Sequence, residues 1–299
     1  KIMRILIYGA GVIGCLYATL FSKAGFDTTI YARGRRLESF KQNGLLYFKN
    51  KKIKKAKVNI IDKVDANDIY DFVFLTVKSN QVHTALEELK NNNSPNIVTM
   101  LNTLEKYNTW EEICSKGRII PAFPGAGGSF EENILNAKRT PNIIQVTTFG
   151  EINGSKSKRL LQLASIFKRS YIPYKIEKDM HAWQLCHLAM IVPIADAYYE
   201  AGVPEKAGED RELMRKTAIT IKKNIDSLHK LGVTLTPKKM KVLYRLPVGI
   251  LRIGLRFTFQ SKFGNTFMYQ HSMKALDEMR ELHNQFYSYI GSRGGKRKI

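Results

Sequence analysis

The run Arg4-Ile5-Leu6-Ile7-Tyr8-Gly9-Ala10-Gly11-Val12-Ile13-Gly14 decides how this chain reads. Its first half is β-rich and predicts a strand over 4–9, while the apolar spacing of 12–24 predicts a helix. Between them Gly9-Ala10-Gly11-Val12-Ile13-Gly14 fits G-x-G-x-x-G, and small Ala18 falls on the helix face toward the sheet. In a strand–turn–helix setting Gly9 permits the tight turn, Gly11 lets a pyrophosphate approach the backbone, and Gly14 lets helix and strand pack closely. The helix start adds free N–H groups and the positive end of the helix dipole. Gly9, Gly11, Val12, Ile13 and Gly14 are therefore candidate dinucleotide-binding residues.

The end of the next expected strand, 27–32, reports on the nucleotide. NAD-binding folds carry Asp or Glu there for the ribose 2′-hydroxyl. This chain carries Tyr31-Ala32-Arg33-Gly34-Arg35-Arg36 and no acid. A carboxylate repels a 2′-phosphate, whereas a guanidinium makes charge-assisted hydrogen bonds to it, each contributing about 1.5–3 kcal/mol. NADP(H) is the expected cofactor, with Arg33 as first choice for the phosphate and Arg36 as second.

Working outward, strands are expected at 72–77, 97–100, 119–123, 142–149 and 171–176, with helices at 81–92 and 109–116. Alternation of this kind predicts a parallel sheet covered on both faces. Residues 45–50 and 54–61 look like an inserted hairpin-type pair. After about Ile176 the pattern becomes helical at 178–202, 210–232, 237–246 and 265–290. The stretch 238–257 mixes basic and apolar residues as a membrane-surface helix would, but Pro247 and Gly249 interrupt it, so it reads as core packing. The expected fold class is α/β, an N-terminal Rossmann-type doubly wound sheet followed by an all-helical domain. Residues 1–177 would form an NADP-binding domain and 178–299 a helical substrate and dimerisation domain, apolar enough to support a homodimer. A length of 299 residues suits two domains.

Composition narrows the remaining classes. The chain is 44% hydrophobic and 10% aromatic, which excludes disorder despite a net charge of +22. Three scattered cysteines exclude a disulfide framework and a multi-cysteine zinc cluster, and suit a reducing compartment. No metal ligand set is expected. No apolar run reaches the ~20 residues of a membrane span, and no signal peptide precedes the first strand, so a cytoplasmic protein is expected. Residues 33–57 hold ten basic side chains and one acid, Glu38, and the Gly-rich end carries Arg293, Lys296, Arg297 and Lys298, a tail expected to fray. No base-reading helix, zinc-finger spacing or RNA-binding aromatic signature accompanies this charge, so no specific nucleic-acid partner is expected. It reads as a solvated lysine surface whose first arginines serve a phosphate.

At this point the chain resembles the ketopantoate reductase (2-dehydropantoate 2-reductase) family over nearly its whole length. Arg4–Gly14 matches it, as does Tyr31-Ala-Arg-Gly followed by Arg36-Leu37-Glu38. Tyr70–Lys78 resembles the family's strand ending in a cofactor-contacting lysine, with Gln81 shortly after. Leu101-Asn102-Thr103 sits where the family has Gln-Asn-Gly. The resemblance implies hydride transfer from NADPH to the ketone of a small 2-oxo acid. It assigns Lys78 to the cofactor and Asn102 to nicotinamide and substrate. Lys78, Asn102 and the loop 124–128 all fall at expected carboxyl ends of strands, although a surface lysine and a turn asparagine would read the same way.

One departure matters. The family places its general-acid lysine two residues after the helix tryptophan, but Trp183 is followed by Gln184 and Leu185, and apolar residues such as Leu188 replace the family's asparagines. His187, one helical turn from Gln184, is the candidate replacement, or a water held by Gln184. Equally, it reads as a packed core histidine, and Lys178 and His181 are more remote substitutes. Ser272 and Glu278 resemble the family's substrate-binding pair at shorter spacing, and also read as surface polar residues. Two functions stay open: an NADPH-dependent 2-oxo acid reductase, or a non-catalytic NADP(H)-binding or regulatory protein that lost its proton donor.

Overall fold

The computed structural model describes residues 2–294 and divides into two compact units, Lys1–Met180 and His181–Ile299. Among the described residues the first unit contains twelve strands. They are β1 (Arg4–Tyr8), β2 (Asp27–Tyr31), β3 (Leu46–Lys49), β4 (Lys52–Lys55), β5 (Asn59–Ile61), β6 (Phe72–Leu75), β7 (Ile97–Met100), β8 (Ile119–Phe123), β9 (Ala126–Glu131), β10 (Ile134–Arg139), β11 (Thr147–Phe149) and β12 (Tyr174–Ile176). Its helices are α1 (Val12–Lys23), α2 (Gly34–Asn43), α3 (Val82–Leu89), α4 (Tyr107–Cys114) and α5 (Lys158–Arg169).

The main sheet runs β12-β11-β8-β7-β6-β1-β2-β5. From β5 to β8 every pairing is parallel, and the strand order reverses between β1 and β6. This is the doubly wound Rossmann order, with its switch point at the end of β1. Strand alternation divides the side chains between two faces. Ile5, Ile7, Phe72 and Phe74 join the core built with Phe21 of α1 and Phe167 of α5. Tyr8 turns to the opposite face, toward α3. Aromatic contacts tie the first face together, with Phe21 and Phe74 ring centroids 4.9 Å apart and Phe149 and Phe167 5.1 Å apart.

A second sheet, β4-β3-β10-β9, packs Tyr47, Leu135 and Ala137 against the outer side of α1. It corrects the expected pair at 45–50 and 54–61. The hairpin is β3–β4, and β5 instead joins the main sheet beside β2. Asn50 and Lys51 both take positive φ (51° and 61°), as do Glu132 and Asn133 (47° and 69°) between β9 and β10. These two-residue turns match the right-handed twist of hairpin strands. The glycine stretch 124–128, expected as a loop at the site, opens β9 instead, because Gly128 and Gly127 pair with Ala137 and Lys138. The expected strand at 142–149 shrinks to β11. Helices α2 and α5 are not among the expected elements; α2 buries only Phe40, so its sequence carries little apolar period.

The second unit is helical, as expected: α6 (Met180–Glu200), α7 (Arg211–Lys230), α8 (Lys238–Arg245), α9 (Val248–Gln260), α10 (Gln270–Lys274) and α11 (Leu276–Gly294). The Asp210 side chain caps α7 by accepting from the Leu213 N–H at 2.9 Å. Asn224 of α7 donates to the Ala189 carbonyl at 3.3 Å and to the Tyr287 hydroxyl at 3.2 Å, joining α6, α7 and α11. The single helix expected at 265–290 is interrupted. A wide turn at Gly264–Tyr269 precedes α10, and Ala275 separates α10 from α11. Of the basic tail, Lys296, Arg297 and Lys298 lie outside the described residues. Among the described residues, no helix is long and apolar enough to cross a membrane.

Glu151 ties α5 to the strand before it. Arg159 donates to its two oxygens at 2.8 and 2.5 Å and also to the Ile119 carbonyl at 3.2 Å, while Ser157 donates to Glu151 as well. Burial alone would raise this carboxyl, but the hydrogen bonds from Arg159 and Ser157 and the guanidinium charge hold it below its ordinary value of 4.5. A carboxyl with a depressed native pKa stabilises the fold above its unfolded value and loses that contribution as pH falls through the native one. Urea unfolding of Glu151→Gln at pH 7 should show a loss of about 1–3 kcal/mol, shrinking as the pH is taken below the unfolded carboxyl value. Gly14→Ala should cost about 1–3 kcal/mol in the same assay, because its Cβ would stand 2.1 Å from the Gly9 carbonyl oxygen, a backbone atom that cannot rotate away.

Candidate functional site

The carboxyl edge of the main sheet gathers the residues singled out in the first unit. Gly9 follows β1 with φ of +123°, and its carbonyl accepts a 2.8 Å hydrogen bond from Thr76 Oγ1 just beyond β6. A Cβ on Gly14 would also stand 2.5 Å from Thr76 Oγ1 and 2.9 Å from Ile7 Cγ2. The helix therefore starts hard against the switch point. Gly11 is its N-cap, in extended backbone with no side-chain cap. Unlike Gly14, a Cβ on Gly11 meets nothing within 4 Å, so the front of the loop is open. The first turn of α1 carries no acid. Its leading N–H groups, including those of Val12 and Ile13, have no carbonyl a turn behind them. An open backbone cradle with positive polarity fits a pyrophosphate.

Arg33 follows β2 and is exposed, with Nη1 3.0 Å from Glu88 Oε1. Arg36 turns the other way, stacking on Phe130 with its guanidinium carbon 3.6 Å from the ring centroid. A cation held on an aromatic face must leave it to reach a phosphate. Lys78 stands exposed after β6, where its N–H donates to Gln81 Oε1 at 3.4 Å. Asn102 follows β7 and is 7% exposed, and its buried Oδ1 has no hydrogen-bond partner. A buried, unsatisfied amide oxygen at a strand end fits an N–H donor on a ligand. The loop holding it is pinned by Glu105, which accepts from Trp110 Nε1 at 2.9 Å and meets His83 Nε2 at 2.6 Å. Thr76, Glu88 and Glu105 escape a reading by motif, because each acts by hydrogen-bonding a residue distant in sequence.

In the helical unit, Trp183 and Gln184 are buried on α6, and His187 stacks on Trp183 with centroids 5.0 Å apart. Burial, with the nearby Lys239 ammonium and His271 ring, pushes the His187 imidazole down to about 3. The ring is thus uncharged at neutral pH. His271 is also lowered by burial, against the opposing pull of Glu278. Histidines from α6 and α10 therefore share surroundings with Lys239 of α8 and Glu278 of α11. Ser272 is only 4% exposed, and its carbonyl accepts from the Tyr199 hydroxyl at 2.7 Å. Lys178 is exposed, and the His181 ring lies 6.0 Å from Tyr289. Among the described residues, no group of His, Cys, Asp and Glu is arranged to hold a metal.

The chain is 26% identical over 116 residues to a 2-dehydropantoate 2-reductase of Archaeoglobus fulgidus, covering 39% of this chain and 38% of that protein. It is 34% identical over 90 residues to a 2-dehydropantoate 2-reductase of Pyrococcus horikoshii, covering 29% of each. The matched stretches thus span well under half of these relatives. Among solved structures, a 2-dehydropantoate 2-reductase of Geobacter metallireducens shares the fold with a TM-score of 0.71 at 18% identity, covering 99% of this chain and 95% of the other. A D-mandelate dehydrogenase in complex with NADH gives 0.70 at 14% identity, covering 97% and 93%. The family model described as ketopantoate reductase PanE/ApbA matches residues 5–154. With half of its sequence under that model and the Rossmann edge to go with it, the chain belongs to the ketopantoate reductase PanE/ApbA family.

Proposed function

We propose that the protein is an NADPH-dependent reductase of a small 2-oxo acid, similar to 2-dehydropantoate 2-reductase. The observation that carries this reading is the carboxyl edge of β1, β2, β6 and β7, where an open glycine turn, a guanidinium and an orphaned amide oxygen follow successive strands of a family fold. When bound, the nicotinamide cofactor supplies the hydride. The chain's own residues bind and orient. Backbone N–H groups of Val12 and Ile13 donate to the pyrophosphate, and Arg33 takes the 2′-phosphate, with Arg36 in reserve behind Phe130. Lys78 offers an ammonium to the cofactor. Asn102 Oδ1 accepts from an amide N–H and so fixes the ring and the substrate carbonyl in register.

Reduction of a ketone also needs a proton, and the candidates for delivering it belong to the helical unit. An imidazole uncharged at neutral pH cannot deliver a proton as imidazolium. His187 instead orients the oxygen through its N–H, and Gln184 holds the water that supplies the proton. Ser272 and Glu278 are the proposed contacts to the substrate's polar groups. A second reading, cofactor binding without turnover, rests on Gln184 and Leu185 standing where a general-acid lysine is required. Following NADPH absorbance across a panel of 2-oxo acids separates the two: consumption supports the reductase, and tight binding without consumption by any of them supports the alternative.

Arg33→Ala should weaken NADPH binding about ten- to hundredfold in calorimetry while changing NADH little. Equal losses for both would remove Arg33 from phosphate recognition. Gly11→Ala should leave the unfolding midpoint unchanged and weaken both nucleotides, because its Cβ enters only the space a pyrophosphate would take. For the proton, kcat between pH 5 and 8 should show no inflection from His187, whose ring stays uncharged down to about 3. His187→Ala should lower kcat by about 10² if its N–H orients the developing oxyanion.

A further inference from the structure

Arg33 does not stand free at the end of β2. Its Nη1 donates to Glu88 Oε1 at 3.0 Å, and Glu88 lies near the end of α3, on the sheet face to which Tyr8 turns. The other carboxylate oxygen, Oε2, accepts from the Tyr8 hydroxyl and from the Tyr31 hydroxyl at 3.3 Å. Tyr8 and Tyr31 are register partners on β1 and β2, both buried, and their rings stack with centroids 4.4 Å apart. The Arg33 guanidinium lies over the Tyr31 ring at 5.5 Å. The acid missing from the end of β2 is thus present in space, supplied by a helix that follows β6.

The two ends of this contact are not held equally. The Arg33 side chain is 53% exposed and that of Glu88 is 38% exposed, and an ion pair so open to water holds weakly. Arg33 can leave it for a phosphate. The carboxylate is held more firmly, because its second oxygen accepts from two phenols on buried strands. A nucleotide that recruits Arg33 therefore meets a fixed negative charge behind it. That charge repels a 2′-phosphate and accepts a hydrogen bond from a 2′-hydroxyl.

We infer that Glu88 is the specificity-determining residue of the cofactor site, a pinned carboxylate that opposes Arg33, lowers the preference for a 2′-phosphate and lets the protein take NADH as well as NADPH. This rests on the proposed binding of a nicotinamide dinucleotide at this edge. The Tyr8–Tyr31 stack is the device that holds the charge in place, and Arg33 is the mobile part.

Calorimetric titration of the full chain with NADPH, NADH, 2′,5′-ADP and 5′-AMP tests it. Glu88→Gln keeps an acceptor for the two phenols and removes the charge. It should tighten NADPH and 2′,5′-ADP about tenfold and leave NADH and 5′-AMP unchanged or weaker. Glu88→Ala should shift the ratio in the same direction, and Glu88→Asp, which keeps the charge, should not; thermal melts report whether each variant is folded. A ratio unmoved in folded Gln and Ala variants, or an equal shift for both nucleotides, overturns the inference while the wild type still binds cofactor. If the wild type binds none of the four probes, the cofactor reading fails and the inference falls with it.

Discussion

The absence of a side chain between α1 and the Gly9 carbonyl governs the first unit. With a Cβ on Gly14 due 2.1 Å from that oxygen, the helix has no room to sit where it does unless residue 14 is glycine. Close approach brings the positive helix end to the switch point between β1 and β6, where Thr76 locks the turn through the Gly9 oxygen. It also lets Phe21 of α1 reach Phe74 of β6 and Phe167 of α5, so the aromatic core and the open glycine turn depend on the same contact. The second sheet then covers the outer face of α1, and the helix is held from both sides.

Electrostatics at the neighbouring strand ends follow from that scaffold. Parallel strands in register bring Tyr8 beside Tyr31, and the two phenols hold one oxygen of Glu88 while Arg33 takes the other. A basic sequence therefore presents a mixed charge at one spot. Similar logic applies to Glu151, which would be costly to bury alone and is held ionised by Arg159 and Ser157. In both cases a carboxylate decides what an arginine is free to do, eight residues away for Arg159 and fifty-five for Arg33.

In the helical unit Trp183 is followed by Gln184 and Leu185, and His187 of the same helix stacks on that tryptophan. Burial and the neighbouring Lys239 and His271 push the His187 imidazole down to about 3, so the ring is uncharged at neutral pH. Lys239 follows Pro237 in a stretch that reads as core packing, but nothing in that stretch says that its lysine lies near α6. A residue can acquire chemical meaning through a neighbour some fifty positions away without leaving a local trace.

Local patterns were enough for the glycine loop, the strands β1, β2, β6, β7 and β8, and the change to an all-helical second half, because periodicity and turn chemistry are properties of neighbouring residues. The β9–β10 hairpin was not legible, since its turn uses Glu132 and Asn133 at positive φ instead of a glycine and its glycines lie inside a strand. Nor was α2, which buries a single phenylalanine. The sequence by itself determined that a Rossmann sheet precedes a helical domain and that an arginine follows the second strand. Only the tertiary structure decided that Arg33 faces Glu88, that Arg36 is spent on Phe130 and that His187 is uncharged. Those outcomes depend on distance and burial, which arise from packing between segments far apart along the chain.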